Sequence, residues 1–290
     1  MIKWYGSNGR DLPWRKTRDP YSIFLSEIML QQTQAHRVIP KWHSFLSLYP
    51  NWITLASAPL ADLIREWVGL GYNRRIIRAS KAARIILNQY QGDLPSEPEL
   101  LLALPGVGNY TSSAIQCFAF NKPVPVVDVN VNRVLIRFYG LKSPQAPSRI
   151  RELAKQSLPK RHTYEWNQAL MDIGASICKA KKINCTICPL RKSCRTSSAG
   201  KTSIYVSKTT RSVYKGSNRY FRGQILNQLK IHTKNKKVSL DHLSTTIGQN
   251  NPGKNIVQIK RALQGLQQDE LVDLYPNRNE PTHASLPKRH

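Results

Sequence analysis

Apolar residues recur at helical spacing along the first two thirds of the chain. From residue 20 to residue 195 the intervals of three and four residues are interrupted mainly by glycine and proline, which are typical helix ends. The stretch 122–141 starts extended, with prolines and β-branched residues, and becomes helical from about Val129. No alternation of apolar and polar residues is long enough to build a sheet, so the pattern predicts an all-α region.

The composition changes after residue 195. Serine, threonine, lysine and glycine dominate without helical periodicity, and we expect a linker over residues 198–218. Beyond it the apolar spacing predicts three short helices and a β segment at 271–275. This order is typical of a small winged-helix-like domain, which we place at residues 219–276. The remaining residues, 277–290, are predicted to form a disordered tail.

The charge of the chain is strongly positive. Lys and Arg total 44 against 17 Asp and Glu, which gives a formal net charge of +27. Such an imbalance predicts a polyanionic partner, with nucleic acid as the first candidate and an anionic membrane surface as the second. No long apolar run is present, and the N-terminus lacks the apolar core of a signal peptide. We therefore expect a cytoplasmic protein with no membrane partner.

Four of the five cysteines fall in one short window. Cys178, Cys185, Cys188 and Cys194 have the spacing C-x6-C-x2-C-x5-C, and four thiolates so close in sequence can surround either zinc or a [4Fe-4S] cluster. Structural zinc usually takes two short CxxC pairs, whereas only one pair is short here. The odd total argues against disulfides. Cys117 lies on an apolar helical stretch and is predicted to be a core residue.

A glycine turn precedes a predicted helix in the sequence LPGVGNYTSSAI, residues 104–115. Gly106, Val107 and Gly108 would let the backbone approach a ligand, and the following helix would offer free N–H groups to a phosphate. The lysine and Ser/Thr that close a P-loop are absent. The short L-P-G-x-G form is that of the helix-hairpin-helix turn, which holds a DNA phosphate, although a purely structural turn would look similar.

Two acidic residues lie inside apolar stretches of this acid-poor chain. Glu27 is flanked by Ile, Leu and Met, and Asp128 lies between valines. A buried carboxylate without a partner is costly or takes up a proton. Glu27 could instead form a pair on a helix surface, and Asp128 could cap the helix that begins near Val129. Two carboxylates in different environments can also divide acid and base roles in the hydrolysis of glycosidic bonds.

Seven segments together resemble the MutY adenine DNA glycosylases, which belong to the helix-hairpin-helix glycosylase superfamily with the endonuclease III proteins and the thymine mismatch glycosylases. In chain order the segments are GRDLPWR, DPYSIFLSEIMLQQTQ, GLGYNRR, LPGVGNYTSSAI, VVDVNVNRVL, NQALMDIGASIC and the four-cysteine loop. The resemblance runs from about Trp4 to Cys194. It implies a two-lobed fold, with a six-helix barrel lobe over 20–128 and a second lobe formed by 1–19 and 129–197. It also implies one [4Fe-4S] cluster on the four clustered cysteines.

The resemblance also implies an activity, the excision of a flipped-out adenine mispaired with 8-oxoguanine or guanine in double-stranded DNA. Glu27 matches the family's acid that protonates N7 of adenine, and Asp128 matches the aspartate that stabilises positive charge on the sugar. Asn130 matches the asparagine beside it. Tyr110 stands where endonuclease III proteins have a lysine that attacks the sugar, so we expect a monofunctional enzyme that leaves an abasic site. The alternative is that Tyr110 only packs beside the turn.

Further positions match residues that contact DNA in the family, although each could be an ordinary helix or loop residue. They are Arg10, Arg15 and Gln168 around the adenine pocket, Gln32 and Tyr72 inserted into the base stack, and Thr33 and Leu70 beside the opposite base.

The sequence departs from the family in its last part. Residues 205–290 lack the strands and glutamates of the Nudix-like domain that recognises 8-oxoguanine in most MutY proteins, and Val129 stands where many have glycine. One alternative is therefore excision of thymine or uracil opposite guanine, although the LQQTQ run favours adenine. A second alternative is a DNA-binding protein without activity. We expect a monomer that associates with the nucleoid.

Overall fold

The computed structural model describes residues 1–142, 145–200, 213–232, 236–247, 252–275 and 281–288. These residues form fifteen α-helices and three short strands. The helices are α1 (Ile2–Asn8), α2 (Pro20–Leu30), α3 (Ala35–Leu48), α4 (Trp52–Ser57), α5 (Leu60–Trp67), α6 (Arg74–Tyr90), α7 (Pro98–Ala103), α8 (Asn109–Phe118), α9 (Val129–Phe138), α10 (Pro147–Gln156), α11 (Thr163–Asp172), α12 (Arg195–Ser198), α13 (Asn218–Ile231), α14 (Leu240–Ile247) and α15 (Pro252–Gln268). The strands are β1 (Val238–Ser239), β2 (Asp273–Tyr275) and β3 (His283–Ser285). In the described part of the chain no helix is both long enough and apolar enough to span a bilayer.

The chain divides into two compact units, each built from separate stretches of sequence. The first unit contains Met1–Glu27, Pro95–Ala103 and Val107–Thr210. The second contains Ile28–Leu94, Leu104–Gly106 and Arg211–His290. This division differs from the predicted lobes of 20–128 and of 1–19 with 129–197.

The first unit is organised around the apolar faces of α8, α9 and α11. Ala114 and Phe118 from α8 share one buried core with Val134 from α9 and Leu170 from α11. This packing explains why residues 107–128 join the first unit instead of the predicted barrel lobe. Cys117 belongs to the same core, and burial raises the pKa of its thiol to about 11. The prediction that Cys117 is a core residue is therefore confirmed.

The second unit combines helices α3 to α6 with the C-terminal domain. In the helical part, the rings of Phe45 and Trp67 meet edge to face with centroids 5.6 Å apart. In the C-terminal domain, α13, α14 and α15 pack with an antiparallel sheet of order β1-β3-β2, in which Ala284 pairs with both Val238 and Leu274. Three helices with such a sheet form a winged-helix-like arrangement, as the sequence predicted.

The central strand of that sheet lies in the predicted tail. β3 is formed by His283–Ser285, with Ala284 and Ser285 buried, where the sequence predicted disorder over 277–290. Its pairing with strands on both sides orders this segment, although residues 276–280 and 289–290 lie outside the described part. Most of the predicted linker, residues 201–212, also lies outside it, and Ser198 ends α12.

The glycine turn between α7 and α8 depends on one glycine. Gly106 has φ +88°, a left-handed conformation, and an added Cβ would lie 3.2 Å from the Cβ of Arg78. Gly108 has an ordinary extended conformation with φ −107°, and a Cβ there would meet nothing within 4 Å. The expected conformational freedom is therefore used at Gly106 alone. As the N-cap of α8, Gly108 brings no side chain to the first-turn amides of the helix.

Candidate active site

Glu27 is a buried acid on an apolar helix. α2 is buried over residues 21–29, most of which are apolar, and Glu27 is only 3% exposed. Burial raises the pKa of Glu27 to about 7; a hydrogen bond from Tyr110 opposes the shift, and the charge of Asp128 adds to it. Among the described residues, its Oε2 atom has no hydrogen-bond partner. This burial is incompatible with the alternative of an ion pair on a helix surface.

Tyr110 lies in the first turn of α8 and makes a hydrogen bond with Glu27. Burial raises the pKa of Tyr110 well above its usual value, and the nearby carboxyl groups of Glu27 and Asp128 add to the effect. The phenol is therefore neutral at physiological pH, and its hydroxyl donates a hydrogen bond to one oxygen of the Glu27 carboxyl group. Tyr110 therefore contacts the buried acid directly, in addition to packing beside the glycine turn.

Asp128 caps helix α9. Its Oδ1 accepts hydrogen bonds from the backbone amides of Asn130 at 2.8 Å and Val131 at 2.7 Å. The side chain of Asn130 donates to the second oxygen, Oδ2, at 2.7 Å. The capping hypothesis is confirmed, and the cap holds the carboxylate rigidly at the positive end of the helix.

Asn130 is held in turn by Arg133. The Nη2 atom of Arg133 donates to Asn130 Oδ1 at 2.9 Å and to the carbonyl oxygen of Gly174 at 2.7 Å. Its Nε atom donates to the carbonyl oxygen of Cys178 at 2.8 Å. A continuous set of hydrogen bonds therefore runs from Asp128 through Asn130 and Arg133 to the first of the clustered cysteines.

Gly174 lies in a π-helical segment, Ile173–Ile177, that continues α11. A Cβ on Gly174 would lie 2.7 Å from the Cβ of Asn130 and 2.9 Å from its carbonyl oxygen. The absence of a side chain lets α9 approach this segment closely. Gly174 was not predicted from the sequence, because its role depends on a contact with a residue 44 positions away, which no local pattern indicates.

Arg10 and Arg15 meet at a buried aspartate that the sequence analysis did not single out. Asp172, 1% exposed, accepts a bidentate pair from Arg15 at 2.8 Å and further bonds from the backbone and side chain of Arg10. Burial works against ionisation, but the hydrogen bonds and charge of Arg15 outweigh it and lower the pKa of Asp172. Gln168 is buried one turn earlier on the same helix. The predicted pocket arginines therefore have a protein anion as their first partner.

The remaining predicted residues lie on two loops of the second unit. Gln32 follows α2 and Tyr72 precedes α6, and both have positive φ, +56° and +46°. Such conformations are uncommon outside glycine and are typical of functional sites. Tyr72 is 42% exposed, whereas Leu70 is buried at 3%, and Thr33 donates to the Leu70 carbonyl oxygen at 3.2 Å. Leu70 therefore points its side chain into the core.

One buried arginine joins these two loops. Arg75 donates to the carbonyl oxygens of Ile28 and Met29 at the end of α2, and to Gln31 in the following loop, at 2.6 to 2.9 Å. Its other terminal nitrogen donates to Thr33 Oγ1 and to the carbonyl oxygens of Leu70 and Gly71. Arg75 was not predicted from the sequence, although an arginine on the apolar face of α6, four residues before buried Ala79, is a detectable signal.

The four clustered cysteines line one small cavity, which is also bordered by Arg137 and Arg191. Arg137 is buried, and its Nη1 atom donates to Cys178 Sγ at 3.3 Å and to the Lys179 carbonyl oxygen at 2.8 Å. Burial raises the pKa of Cys188, and the other three cysteines add to this shift. In the described part of the chain, no group of three or more His, Cys, Asp or Glu is arranged to hold a single metal ion.

Comparison with known proteins identifies relatives over most of the chain. A family model described as HhH-GPD superfamily base excision DNA repair protein matches residues 25–160. The adenine DNA glycosylase of Buchnera aphidicola subsp. Acyrthosiphon pisum is 40% identical over 199 residues, which are 67% of this chain and 57% of that protein. The adenine DNA glycosylase of Mycolicibacterium smegmatis is 38% identical over 236 residues, which are 80% of each chain. The chain thus spans little more than half the length of the Buchnera relative.

A solved structure of a thermostable thymine-DNA glycosylase matches the fold with a TM-score of 0.64. The two chains are 32% identical, and the match covers 68% of this chain and 93% of the other. The similarity therefore extends over nearly the whole of that enzyme.

The close approach of Gly174 to Asn130 predicts that a side chain at residue 174 destabilises the fold. Gly174→Ala is expected to lower the free energy of unfolding by about 1–3 kcal/mol, because the new methyl group overlaps Asn130. Thermal denaturation compares it with Gly6→Ala, whose added Cβ has nothing within 4 Å. Equal melting temperatures for the two variants would contradict the packing described here.

Proposed function

Because the chain belongs to the HhH-GPD superfamily of base excision DNA repair proteins, we propose that it is a monofunctional DNA glycosylase that removes adenine mispaired with 8-oxoguanine or guanine. One observation carries the proposal: Glu27 and Asp128 are neighbouring carboxyl groups in opposite environments, one buried with a raised pKa and one capping a helix. Such a pair suits the acid-assisted hydrolysis of a glycosidic bond.

In this mechanism Glu27 is the general acid. Its proton passes to N7 of a flipped-out adenine, and the C1′–N9 bond breaks with the electron pair moving to the base. A pKa of about 7 keeps a large fraction of Glu27 protonated at neutral pH. The Tyr110 hydroxyl bonds to one oxygen, which leaves the unpartnered Oε2 for the substrate.

Asp128 acts on the sugar. As the base departs, positive charge develops on the deoxyribose ring, and an ionised carboxylate beside it stabilises that charge. The cap on α9 and the bond from Asn130 hold Asp128 in place, so little reorganisation is needed. A water molecule then adds to C1′ and gives its proton to the Glu27 carboxylate, which restores the acid.

The reaction stops at the abasic site. Strand cleavage in this superfamily uses a lysine amine that forms a Schiff base with the sugar, and a phenol cannot do so. Tyr110 occupies the corresponding position, and its hydroxyl is already committed to Glu27. We propose that the remaining predicted residues contact DNA: the glycine turn a phosphate, Gln32 and Tyr72 the base stack, and Arg10, Arg15 and Gln168 the pocket around the base.

A second candidate is the excision of thymine or uracil opposite guanine. It is favoured by the match to the thymine-DNA glycosylase structure, which covers 93% of that chain. The relatives at 38–40% identity with the name adenine DNA glycosylase favour the first candidate.

Purified protein given duplexes with A:8-oxoguanine, A:G, T:G and U:G pairs is expected to excise adenine from the first two. Alkali after the reaction reveals abasic sites as strand breaks, and few breaks are expected without alkali. Breaks confined to the T:G and U:G duplexes would establish the second candidate instead. Strand cleavage without alkali at the rate of excision would contradict the assigned chemistry of Tyr110.

Excision by the wild type is expected to decline as pH rises through about 7, because Glu27 then loses the proton it donates. Single-turnover excision rates, measured at a series of pH values on both sides of about 7, give this profile. Glu27→Gln is expected to bind the duplex without excising adenine.

The same variant tests the burial of the carboxyl group. In the folded protein the pKa of Glu27 is raised, so ionisation makes the wild type less stable as pH rises from the unfolded pKa to about 7. Glu27→Gln stays neutral and is expected to be more stable at pH 8, by up to about 3 kcal/mol. A lower melting temperature than wild type at pH 8 would contradict the raised pKa of Glu27. Retained excision would refute its role as the acid.

We also propose that the clustered cysteines hold one [4Fe-4S] cluster. The donor set fits, since four thiols line one cavity and the guanidinium of Arg137 already donates to one of the sulfurs. When bound, the cluster would crosslink the loop and supply no proton for excision. Arg137 would offset part of the negative charge of the thiolates and fix the backbone of residues 178–180.

Protein purified without oxygen is expected to be brown and to contain iron and sulfide in equal amounts. Cys185→Ser should lose iron, whereas Cys117→Ala, a cysteine of the core, should keep it. Stoichiometric zinc with no iron in the wild type would overturn the assignment.

A further inference from the structure

The second unit contains a large open cavity that no residue of the excision chemistry lines. Its volume is about 860 Å³. One wall is formed by residues 68–75 with Gln31 and Gln32, and the other by Tyr214 and residues 218–227 of the C-terminal domain. Both walls belong to the same compact unit. The winged-helix-like domain therefore lies directly beside the two loops with positive φ.

The cavity is strongly basic. Six arginines line it, against a single acid, Asp269, which pairs with Arg74 at 3.2 Å and with Arg222. Arg75 is occupied by hydrogen bonds to backbone carbonyl oxygens and to Thr33 Oγ1. Within the described residues, Arg37, Arg78 and Arg219 have no acidic partner, and all three are exposed. No acidic side chain of the described residues balances their positive charge, and a polyanion is the ligand that such a cluster binds best.

Arg219 connects the two walls. Its Nη1 atom donates to the Tyr72 hydroxyl at 3.0 Å, and its guanidinium lies 5.4 Å from the centre of the Tyr72 ring and 5.0 Å from that of Tyr214. Arginine placed between exposed aromatic rings is a typical surface for nucleic acid, because rings stack on bases while guanidinium groups bind phosphates. Nothing in the excision chemistry uses Tyr214 or Arg219.

Ion pairs hold the C-terminal domain against α6. Besides the pair of Arg74 with Asp269, Lys81 contacts Glu270 at 2.7 Å, so the turn after α15 is fixed at two successive residues. Arg222 of α13 joins the same aspartate. The position of Arg219 relative to Tyr72 is thus set by a network, and a network of charges constrains geometry more than an isolated surface pair does.

We propose that α13 and residues 68–78 form one composite site for the DNA strand opposite the excised base, with Arg219 contacting a backbone phosphate of that strand. The choice of strand rests on the proposed function, in which Gln32 and Tyr72 enter the base stack. The winged-helix-like domain is then a second DNA-binding element that works together with the loops of the helical part.

The test measures binding of the full-length protein to a duplex with a tetrahydrofuran abasic analogue opposite guanine, which cannot be cleaved. Methylphosphonate linkages, which are neutral, replace single phosphates near the lesion in one strand at a time. In the strand opposite the analogue, one such linkage is expected to weaken wild-type binding about tenfold. Arg219→Ala should weaken binding to the unmodified duplex by a similar factor and be insensitive to that linkage. The slope of log K against log salt should fall by about 1.

Lys230→Ala is the matched control, because Lys230 is exposed on the same helix and does not line the cavity. It should keep the wild-type salt slope and the wild-type response to every methylphosphonate. Equal responses of Arg219→Ala and wild type at all positions would overturn the proposal. So would a Tyr72→Phe variant that reproduces the pattern of Arg219→Ala, since Arg219 would then act only through the tyrosine hydroxyl.

This outcome is independent of the activity assay. The binding test uses a duplex that cannot be cleaved, so its result does not require activity. If the wild type excises no adenine in the activity assay, the proposed function is overturned and the composite site is still judged by the binding test. If the wild type excises adenine but Arg219→Ala binds DNA in the same way as Lys230→Ala, only the composite site is overturned.

Discussion

The burial of one carboxyl group among apolar side chains is the constraint on which the site depends. Burial raises the pKa of Glu27 to about 7, and positive charge close to the carboxyl group opposes this shift. The chain has 44 basic residues, and one of them, Arg15, does lower the pKa of Glu27. Asp172 takes both terminal nitrogens of Arg15 into a bidentate pair. The two buried acids therefore differ, since burial raises the pKa of Glu27, whereas the hydrogen bonds and charge of Arg15 lower the pKa of Asp172.

Because acidic residues are few, buried arginines bond mainly to backbone oxygens and not to carboxylates. Arg75, Arg133 and Arg137 are buried, and they donate mainly to backbone carbonyl oxygens. These oxygens lie at the end of α2, in the π-helical segment and in the cysteine loop, where regular helical bonds are missing. The arginines thus satisfy irregular backbone that carries predicted functional residues. These three basic residues therefore contribute to the interior of the fold instead of its surface.

Local patterns predicted much of this arrangement and failed where partners are distant in sequence. The aspartate before a helical run predicted the cap at Asp128, and apolar spacing predicted α2 and the core position of Cys117. Asp172 and Gly174 were missed, because their importance comes from Arg15 and Asn130 across long separations. A three-residue strand such as β3 is too short to show alternation, so the tail was predicted as disordered. The roles of the individual site residues stay predictions until they are measured.

Hydrogen bonds run from Asp128 through Asn130 and Arg133 to the Cys178 carbonyl oxygen. They join a carboxylate to a loop that would hold a metal cluster. The carboxylate is present as soon as the chain is made, whereas a metal cluster would have to be inserted into the cysteine loop after synthesis. If the loop holds a cluster as proposed, loss of iron would loosen the loop at the far end of the hydrogen bonds that hold Asn130 beside Asp128.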